Sequence, residues 1–306
     1  MGTSEFAVPS LQALFEAHEV VAVVTQPDRP KGRGKKMAFS PVKEAALAHN
    51  ADITILQPTR IRRKEHVAEL EAFGADVFVV ASYGQFLPEV ILNMPKYGCI
   101  NVHASLLPKY RGASPIQQAI LHGDATAGVT IMRMDKGIDT GDMFIKKEIP
   151  VLPEDTGGSL HDKLADLGAE ILLEVLPMLE DGSAVRVKQD DAEASHAPLL
   201  TKDMGRIDWT RTPQEIVNLV RGMNPWPCAF IEYDGQPIRI LQAAVCDEPM
   251  ADAKAGAVCV ASDKTGLVIA ANGGAVRVLE LQAQNGKRMR PEDYLRGHEM
   301  VVGTVL

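Results

Sequence analysis

Cys99-Ile100-Asn101-Val102-His103 alternates its side chains: Ile100 and Val102 are apolar, while Asn101 and His103 are polar. On a strand, residues two apart share a face. Asn101 and His103 therefore project together, and Ile100 and Val102 pack on the opposite side. A short apolar loop, Ala104-Ser105-Leu106-Leu107-Pro108, follows directly. In open α/β sheets, ligands bind beyond the carboxyl ends of strands, which is where this strand delivers its polar pair and where the loop can form a pocket wall.

Working outward, short β-branched runs alternate with helical patterns through residues 1–182. Strands are expected at 20–24, 53–56, 77–81, 99–103, 129–134 and 143–150. Helices are expected near 7–17, 41–49, 64–73, 89–93 and 115–122. That alternation predicts a doubly wound, mostly parallel sheet. Residues 159–180 close the region with Leu160, Leu164, Leu167, Ile171, Leu172 and Val175 at helical spacing, so one face packs on the sheet. Ser40-Pro41 and Ser114-Pro115 each set a capping hydroxyl before a proline at the first helical position.

Residues 183–203 are polar and read as a linker, rich in Gln, Asp, Glu and Ser. Residues 204–306 carry a helix at 213–223 and short strands at 229–233, 238–244, 257–261, 267–271 and 275–281, with Asp234-Gly235 and Asn272-Gly273 as hairpin turns. This pattern predicts a smaller C-terminal β-barrel with a helix.

The whole chain has 306 residues, suiting two domains. At 46% hydrophobic and 24% charged, its composition is that of a globular protein. There is no run of about 18 apolar residues, so no membrane span is expected. The N-terminal sequence lacks a signal peptide's basic start and apolar stretch. Cys99, Cys228, Cys246 and Cys259 form no Cys-x-x-Cys pair, so neither a zinc site nor a disulfide framework is indicated. A cytoplasmic location and no metal are the resulting expectations. The net charge of −8 argues against a general nucleic-acid coat.

One local patch runs against that charge: Arg29, Lys31, Arg33, Lys35 and Lys36 follow a strand among glycines. The stretch completes neither a dinucleotide fingerprint nor a Walker A loop. A solvated loop is its plain reading, and a mobile loop that meets phosphates is the functional one. Arg60, Arg62, Arg63 and Lys64 read as helix-surface charge. Asn224-Pro225-Trp226-Pro227 reads as a buried turn packing the second domain, with base stacking as its alternative.

Asp135-Lys136-Gly137-Ile138-Asp139-Thr140-Gly141-Asp142 lies between two expected strands. Its plain reading is a polar turn, and it lacks the closing Glu of a calcium loop. Functionally, one carboxylate can orient His103, because an Asp beside an imidazole fixes the ring. Spacing alone leaves Asp135, Asp139 and Asp142 equivalent.

Asn101-x-His103, Ser105-Leu106-Leu107-Pro108 and Ile138-Asp139-Thr140-Gly141-Asp142 together resemble the folate-dependent formyltransferases. Further motifs narrow the resemblance to the members that act on methionyl-tRNA. These are Gly2-Thr3-x-Glu5-Phe6-Ala7-Val8-Pro9, the basic stretch from Thr25 to Lys36, Tyr110-Arg111-Gly112, Arg206-Ile207-Asp208-Trp209 and Asn224-Pro225-Trp226-Pro227. The resemblance implies a Rossmann-like domain, an OB-like barrel that helps hold tRNA, and two substrates: 10-formyltetrahydrofolate and initiator methionyl-tRNA. It places catalysis on Asn101, His103 and Asp139, and folate binding on Ser105, Leu106, Leu107 and Pro108. tRNA contacts would come from Arg29, Lys31, Arg33, Lys35 and Lys36. A monomer without a metal is expected. The family also has a short apolar strand ahead of the Met-Gly-Thr turn, so with Met1 as first residue a central strand is expected to be absent. Ser4 replaces a usual proline.

The implied chemistry is attack of the methionine amine on the formyl carbon. The Asn101 amide and the His103 ring would donate to the oxyanion, and Asp139 would help take the amine proton. The competing readings are a formyltransferase with a small-molecule amine acceptor, a formylfolate hydrolase, and a non-catalytic nucleic-acid-binding protein.

Overall fold

A computed structural model describes residues 1–31, 36–246 and 253–306, with Lys31 and Lys36 described by backbone only. The chain divides into two compact units. The first comprises Met1–Pro115, Ala127–Ile149 and His161–Ala197; the second comprises Ile116–Thr126, Pro150–Leu160 and Pro198–Leu306.

The first unit opens with α1 (Val8–Ala17), β1 (Val23–Val24), β2 (Arg29–Lys31), β3 (Lys36–Ala38), α2 (Pro41–His49), β4 (Ile55–Leu56), α3 (Lys64–Glu71), β5 (Phe78–Val80), α4 (Glu89–Leu92), β6 (Cys99–His103) and β7 (Arg111–Gly112). After α5 (Pro115–Leu121), which from Ile116 onward belongs to the second unit, come β8 (Thr126–Arg133), β9 (Met143–Pro150), α6 (Gly157–Asp181) and β10 (His196–Ala197). The Ser40 hydroxyl caps α2 by accepting the Lys43 N–H at 3.1 Å, as the Ser-Pro signal predicts.

The expected mostly parallel sheet is instead mixed and divided. Order β5-β6-β8-β9 forms one sheet, with β5 and β6 parallel and β6 and β8 antiparallel. β1 and β4 pair in parallel as a separate pair. Met1 and Gly2 stitch the two pieces at one end: the Met1 amine donates to Val79 O at 2.6 Å, and the Gly2 N–H donates to Val24 O at 2.9 Å. Beyond them lies a cavity of about 680 Å³, lined in part by Leu11, Val20, Val21, Leu70, Val77 and Leu176. Val20, Val21 and Val77 line this space and have no ladder partner among the described residues, and the strands expected at 20–24 and 77–81 shorten to Val23–Val24 and Phe78–Val80.

The face predicted for the long helix is the buried one: Leu160, Leu164, Ile171, Leu172 and Val175 of α6 are fully buried. Burial of each such side chain contributes on the order of 1.5–3 kcal/mol relative to exposure. Where α6 crosses the sheet it carries Gly168, because a Cβ there would come within 2.7 Å of Val102 Cγ1. This packing holds the apolar face of β6 and turns Asn101 and His103 the other way.

The second unit contains α7 (Pro213–Gly222), β11 (Ala229–Tyr233), β12 (Gln236–Cys246), β13 (Val258–Ser262), β14 (Gly266–Ala271), β15 (Gly274–Ala283) and α8 (Pro291–Leu295). Thr212 and Glu215 close a capping box at α7. The strands form an antiparallel sheet in the order β11-β12-β15-β14-β13. Among the described residues β11 and β13 are its edges, so the expected closed barrel is not formed; the core lies between this sheet and α7. Trp209 is buried in that core, but Trp226 is 53% exposed, contrary to the buried-turn reading. Among the described residues, no helix is long and apolar enough to cross a membrane.

Candidate active site

The carboxyl end of β6 carries the expected pair. Asn101 is half-buried and His103 is buried. Both converge on Asp139 from the loop between β8 and β9. Asn101 Nδ2 donates to Asp139 Oδ1 at 3.4 Å, and His103 Nδ1 stands 3.5 Å from Asp139 Oδ2. These are long contacts, of the kind that tighten when substrate arrives. Asp139 Oδ2 also accepts the Gly112 N–H at 2.9 Å.

The three carboxylates of the loop separate by partner. Asp135 Oδ1 accepts the Gly137 N–H and the Thr140 hydroxyl, and so serves the turn. Asp142 contributes its carbonyl to the Arg133 N–H. Asp139 alone of the three reaches Asn101 and His103.

The backbone here is unusual. Asp139 has φ 54° and Tyr110 has φ 60°, both left-handed without being glycine. Such a conformation costs on the order of 1–3 kcal/mol and persists where surrounding bonds over-determine it. The bonds are visible. The Tyr110 N–H donates to Ser195 Oγ at 2.9 Å, and Tyr110 O accepts from His103 Nε2 at 3.0 Å. A carbonyl can only accept, so Nε2 carries a proton and Nδ1 is the ring atom turned to Asp139. The Ser195 contact comes from the polar stretch, which is tied down where β7 and β10 pair in parallel. With Nε2 committed to Tyr110, Nδ1 is the ring nitrogen left facing Asp139, and it donates only when it too carries a proton.

The expected folate loop faces mostly inward. Ser105 and Leu107 are buried, whereas Leu106 and Pro108 are half-buried. Thr130 Oγ1 donates to Ser105 O at 2.6 Å and accepts the Leu107 N–H at 3.1 Å, clamping the loop to β8. The Ser105 hydroxyl donates to Lys109 O at 2.6 Å. Leu107 packs with Met132 and Met143. Cys99, at the start of β6, is a packed thiol that burial pushes up to about 12.

Of the basic residues, Arg29 is exposed on β2, which pairs antiparallel with β3. Arg33 and Lys35 lie outside the described residues, as do the side chains of Lys31 and Lys36. The hairpin base is held by Asp28, which pairs with Lys43 Nζ at 2.7 Å and accepts from Gln57 Nε2 at 2.7 Å. The hydrogen bond from Lys43, then that from Gln57, holds the Asp28 carboxyl below its usual range. Arg60, Arg62, Arg63 and Lys64 are all exposed, in keeping with their plain reading.

Residues 2–176 match the family model "Formyl transferase", and residues 199–299 match "Formyl transferase, C-terminal domain". A methionyl-tRNA formyltransferase of Caldanaerobacter subterraneus subsp. tengcongensis is 48% identical, covering 100% of this chain and 98% of that one. The chain belongs to the methionyl-tRNA formyltransferase family. A second methionyl-tRNA formyltransferase, from Acetivibrio thermocellus, is 47% identical over 100% of this chain and 98% of its own. Among solved structures, the formyltransferase fold is shared with WlaRD, a sugar 3N-formyl transferase solved in the presence of dTDP and 5-N-formyl-THF. That match has a TM-score of 0.66 at 21% identity, covering 94% of this chain and 97% of that one.

Several parts of this site have a role that no local pattern in the sequence reveals. The Gly112 N–H, the Tyr110 carbonyl and the Ser195 hydroxyl act through tertiary placement, and Gln189 sits in a stretch whose composition reads as a linker. Only the glycine at 112, at φ 117°, marks a backbone that a side chain would obstruct.

Proposed function

We propose that this enzyme transfers the formyl group from 10-formyltetrahydrofolate to the α-amino group of methionine on initiator methionyl-tRNA, at Asn101, His103 and Asp139. The observation that carries this reading is the convergence of Asn101 and His103 on one carboxylate, in a chain similar along its whole length to methionyl-tRNA formyltransferases.

The site's donors suit acyl transfer. As the amine bonds to the formyl carbon, charge develops on the formyl oxygen. The Asn101 amide N–H stabilises that oxyanion, with the Nδ1 edge of His103 beside it; a positioned donor of this kind commonly contributes a hundredfold or more. Asp139 accepts the amine proton, directly or through a water, and the same proton passes to the folate nitrogen as its bond to the formyl carbon breaks. The Gly112 N–H holds Oδ2 of Asp139 in place throughout.

Leu106 and Pro108, the half-buried members of the loop 105–108, are the ones available to folate; Ser105 and Leu107 shape the loop from inside. Arg29, Lys31, Arg33, Lys35 and Lys36 meet tRNA phosphates. We read residues 1–182 as a folate-binding catalytic α/β domain, 183–203 as its connection, and 204–306 as a tRNA-binding antiparallel-sheet domain of a cytoplasmic monomer.

The test is formyl transfer from 10-formyltetrahydrofolate to charged initiator tRNA, with hydrolysis measured in parallel without tRNA. Transfer that requires the tRNA supports the reading. Equal turnover without tRNA, or transfer only to a small amine, replaces it with the hydrolase or small-acceptor alternative.

A further inference from the structure

Gln189 lies between the two segments matched by the family models, in the stretch whose composition reads as a linker. It is nevertheless only 4% exposed. Its side-chain amide is fully used. Oε1 accepts from Arg111 Nε at 3.0 Å, and Nε2 donates to Asp139 O at 2.8 Å and to Gly141 O at 2.8 Å. The amide orientation is unambiguous, because a guanidinium only donates and carbonyls only accept. Arg111 is itself buried and anchored on its far side by Asp191 at 2.8 Å.

The two accepting carbonyls bracket the turn Asp139-Thr140-Gly141, and Asp139 is its left-handed residue. A left-handed aspartate left to itself would relax to ordinary backbone angles and swing its carboxylate. Two hydrogen bonds from one planar amide fix both peptide planes of the turn together. Gly112 fixes the carboxylate from the other side through its N–H. Arg111 connects the two supports, since it precedes Gly112 on β7 and also holds Gln189.

We propose that Gln189 is the positioning residue of the catalytic carboxylate: its amide clamps the backbone of Asp139 so that the carboxylate meets Asn101 and His103. The proposal rests on the reading of Asp139 as a catalytic residue. Gln189 touches no reacting atom, so its contribution falls on turnover and not on the binding of either substrate. A misplacement on the order of 1 Å in a reacting group can cost about a hundredfold.

The decisive variant is Gln189→Glu. It keeps the shape and the acceptor for Arg111 but removes both N–H donors to the turn. Formyl transfer to initiator methionyl-tRNA by the full chain is expected to fall at least about tenfold in kcat, with KM for 10-formyltetrahydrofolate and for the tRNA changed less than about twofold. The double variant Gln189→Glu with Asp139→Ala is expected to be no slower than Asp139→Ala alone, because a clamp has nothing to position once the carboxylate is gone. A general loss of packing would instead multiply the two defects and raise both KM values. If Gln189→Glu fails to fold, Gln189→Met, which keeps the length of the side chain and likewise removes both N–H donors, replaces it in the same cycle. The proposal is overturned by kcat within twofold of the parent, or by independent multiplication of the two defects. If Asp139→Ala itself turns over normally, the catalytic reading of Asp139 fails instead, and the two failures are told apart by that single-variant control.

Discussion

His103 Nδ1 stands 3.5 Å from Asp139 Oδ2, while the opposite ring nitrogen is held by the Tyr110 carbonyl at 3.0 Å. The ring is thus pinned through Nε2 and presents its other edge to the carboxylate. On the proposed mechanism, removing any one of the three converging groups deletes a donor or the proton acceptor, while the packed face of β6 stays intact. Asn101→Ala, His103→Ala and Asp139→Ala are each expected to lose at least about a hundredfold in kcat for formyl transfer. Near-parental turnover of His103→Ala, measured with saturating tRNA, would remove His103 from the mechanism.

Gly112 gives a second handle on the same carboxylate. Its φ is 117°, and a Cβ there would come within 2.6 Å of Ala197 O on β10. Gly112→Ala therefore has to push β7 away from β10, and that motion carries off the N–H that holds Asp139 Oδ2. We expect a stability loss of about 2 kcal/mol, within the usual range for strained substitutions, read as a lower urea midpoint. A fall in kcat larger than the loss of folded protein explains should accompany it. A variant with normal kcat in its folded fraction would show that the Gly112 N–H does not position Asp139.

The strand Cys99–His103 was legible residue for residue, because its alternation of packed and polar side chains has period two and its partners on both sides are apolar strands. The buried face of α6 was legible for the same reason at period 3.6. What escaped was non-local. Asp135, Asp139 and Asp142 are equivalent by spacing, and the left-handed angle of Asp139, an N–H 27 residues upstream and the contacts with Asn101 and His103 are what distinguish them. Gln189 looks like solvent-facing linker until its two acceptors are brought to it. The strands of the second unit were readable one by one, but whether they close depends on register between distant segments, and β11 and β13 remain edges among the described residues. Trp226 shows the limit of composition: a large aromatic beside prolines predicts burial, yet it is Trp209 that fills the core. The start of α2 at Ser40-Pro41, by contrast, had a readable signature, and the Ser40 hydroxyl caps it.

The Asp28–Lys43 pair predicts a pH dependence. Its hydrogen bonds hold the Asp28 carboxyl below its ordinary value of 3.8. A carboxylate whose folded-state pKa is depressed contributes stability above its unfolded value and loses it as pH falls through the folded one. The contribution is therefore complete at neutral pH and disappears only below about pH 4. Asp28→Asn is expected to lower the urea midpoint by a constant amount between about pH 5 and 8, with the gap to the parent closing below about pH 4. A gap that stays unchanged down to pH 3 would mean that the ionised form of Asp28 contributes nothing.

The same pair bears on the proposed tRNA contact, since Asp28 and Lys43 hold the base of the hairpin that carries Arg29, Lys31 and Lys36. In a chain of net charge −8, long-range attraction to tRNA cannot come from the molecule as a whole and has to come from such a local cluster. Each cation that neutralises a phosphate releases counterions, so its removal both weakens binding and flattens the dependence of affinity on salt. Lys35→Ala combined with Lys36→Ala is expected to weaken initiator-tRNA binding and to reduce the slope of log K against log salt by about one to two, at about 0.7–0.9 per lost phosphate contact. Folate binding and the rate at saturating tRNA should be unchanged, because the role proposed for the two lysines is phosphate contact alone. An unchanged salt slope in titrations across about 50–200 mM salt would exclude the two lysines as phosphate contacts. A matched fall in folate affinity would instead place them at the folate site.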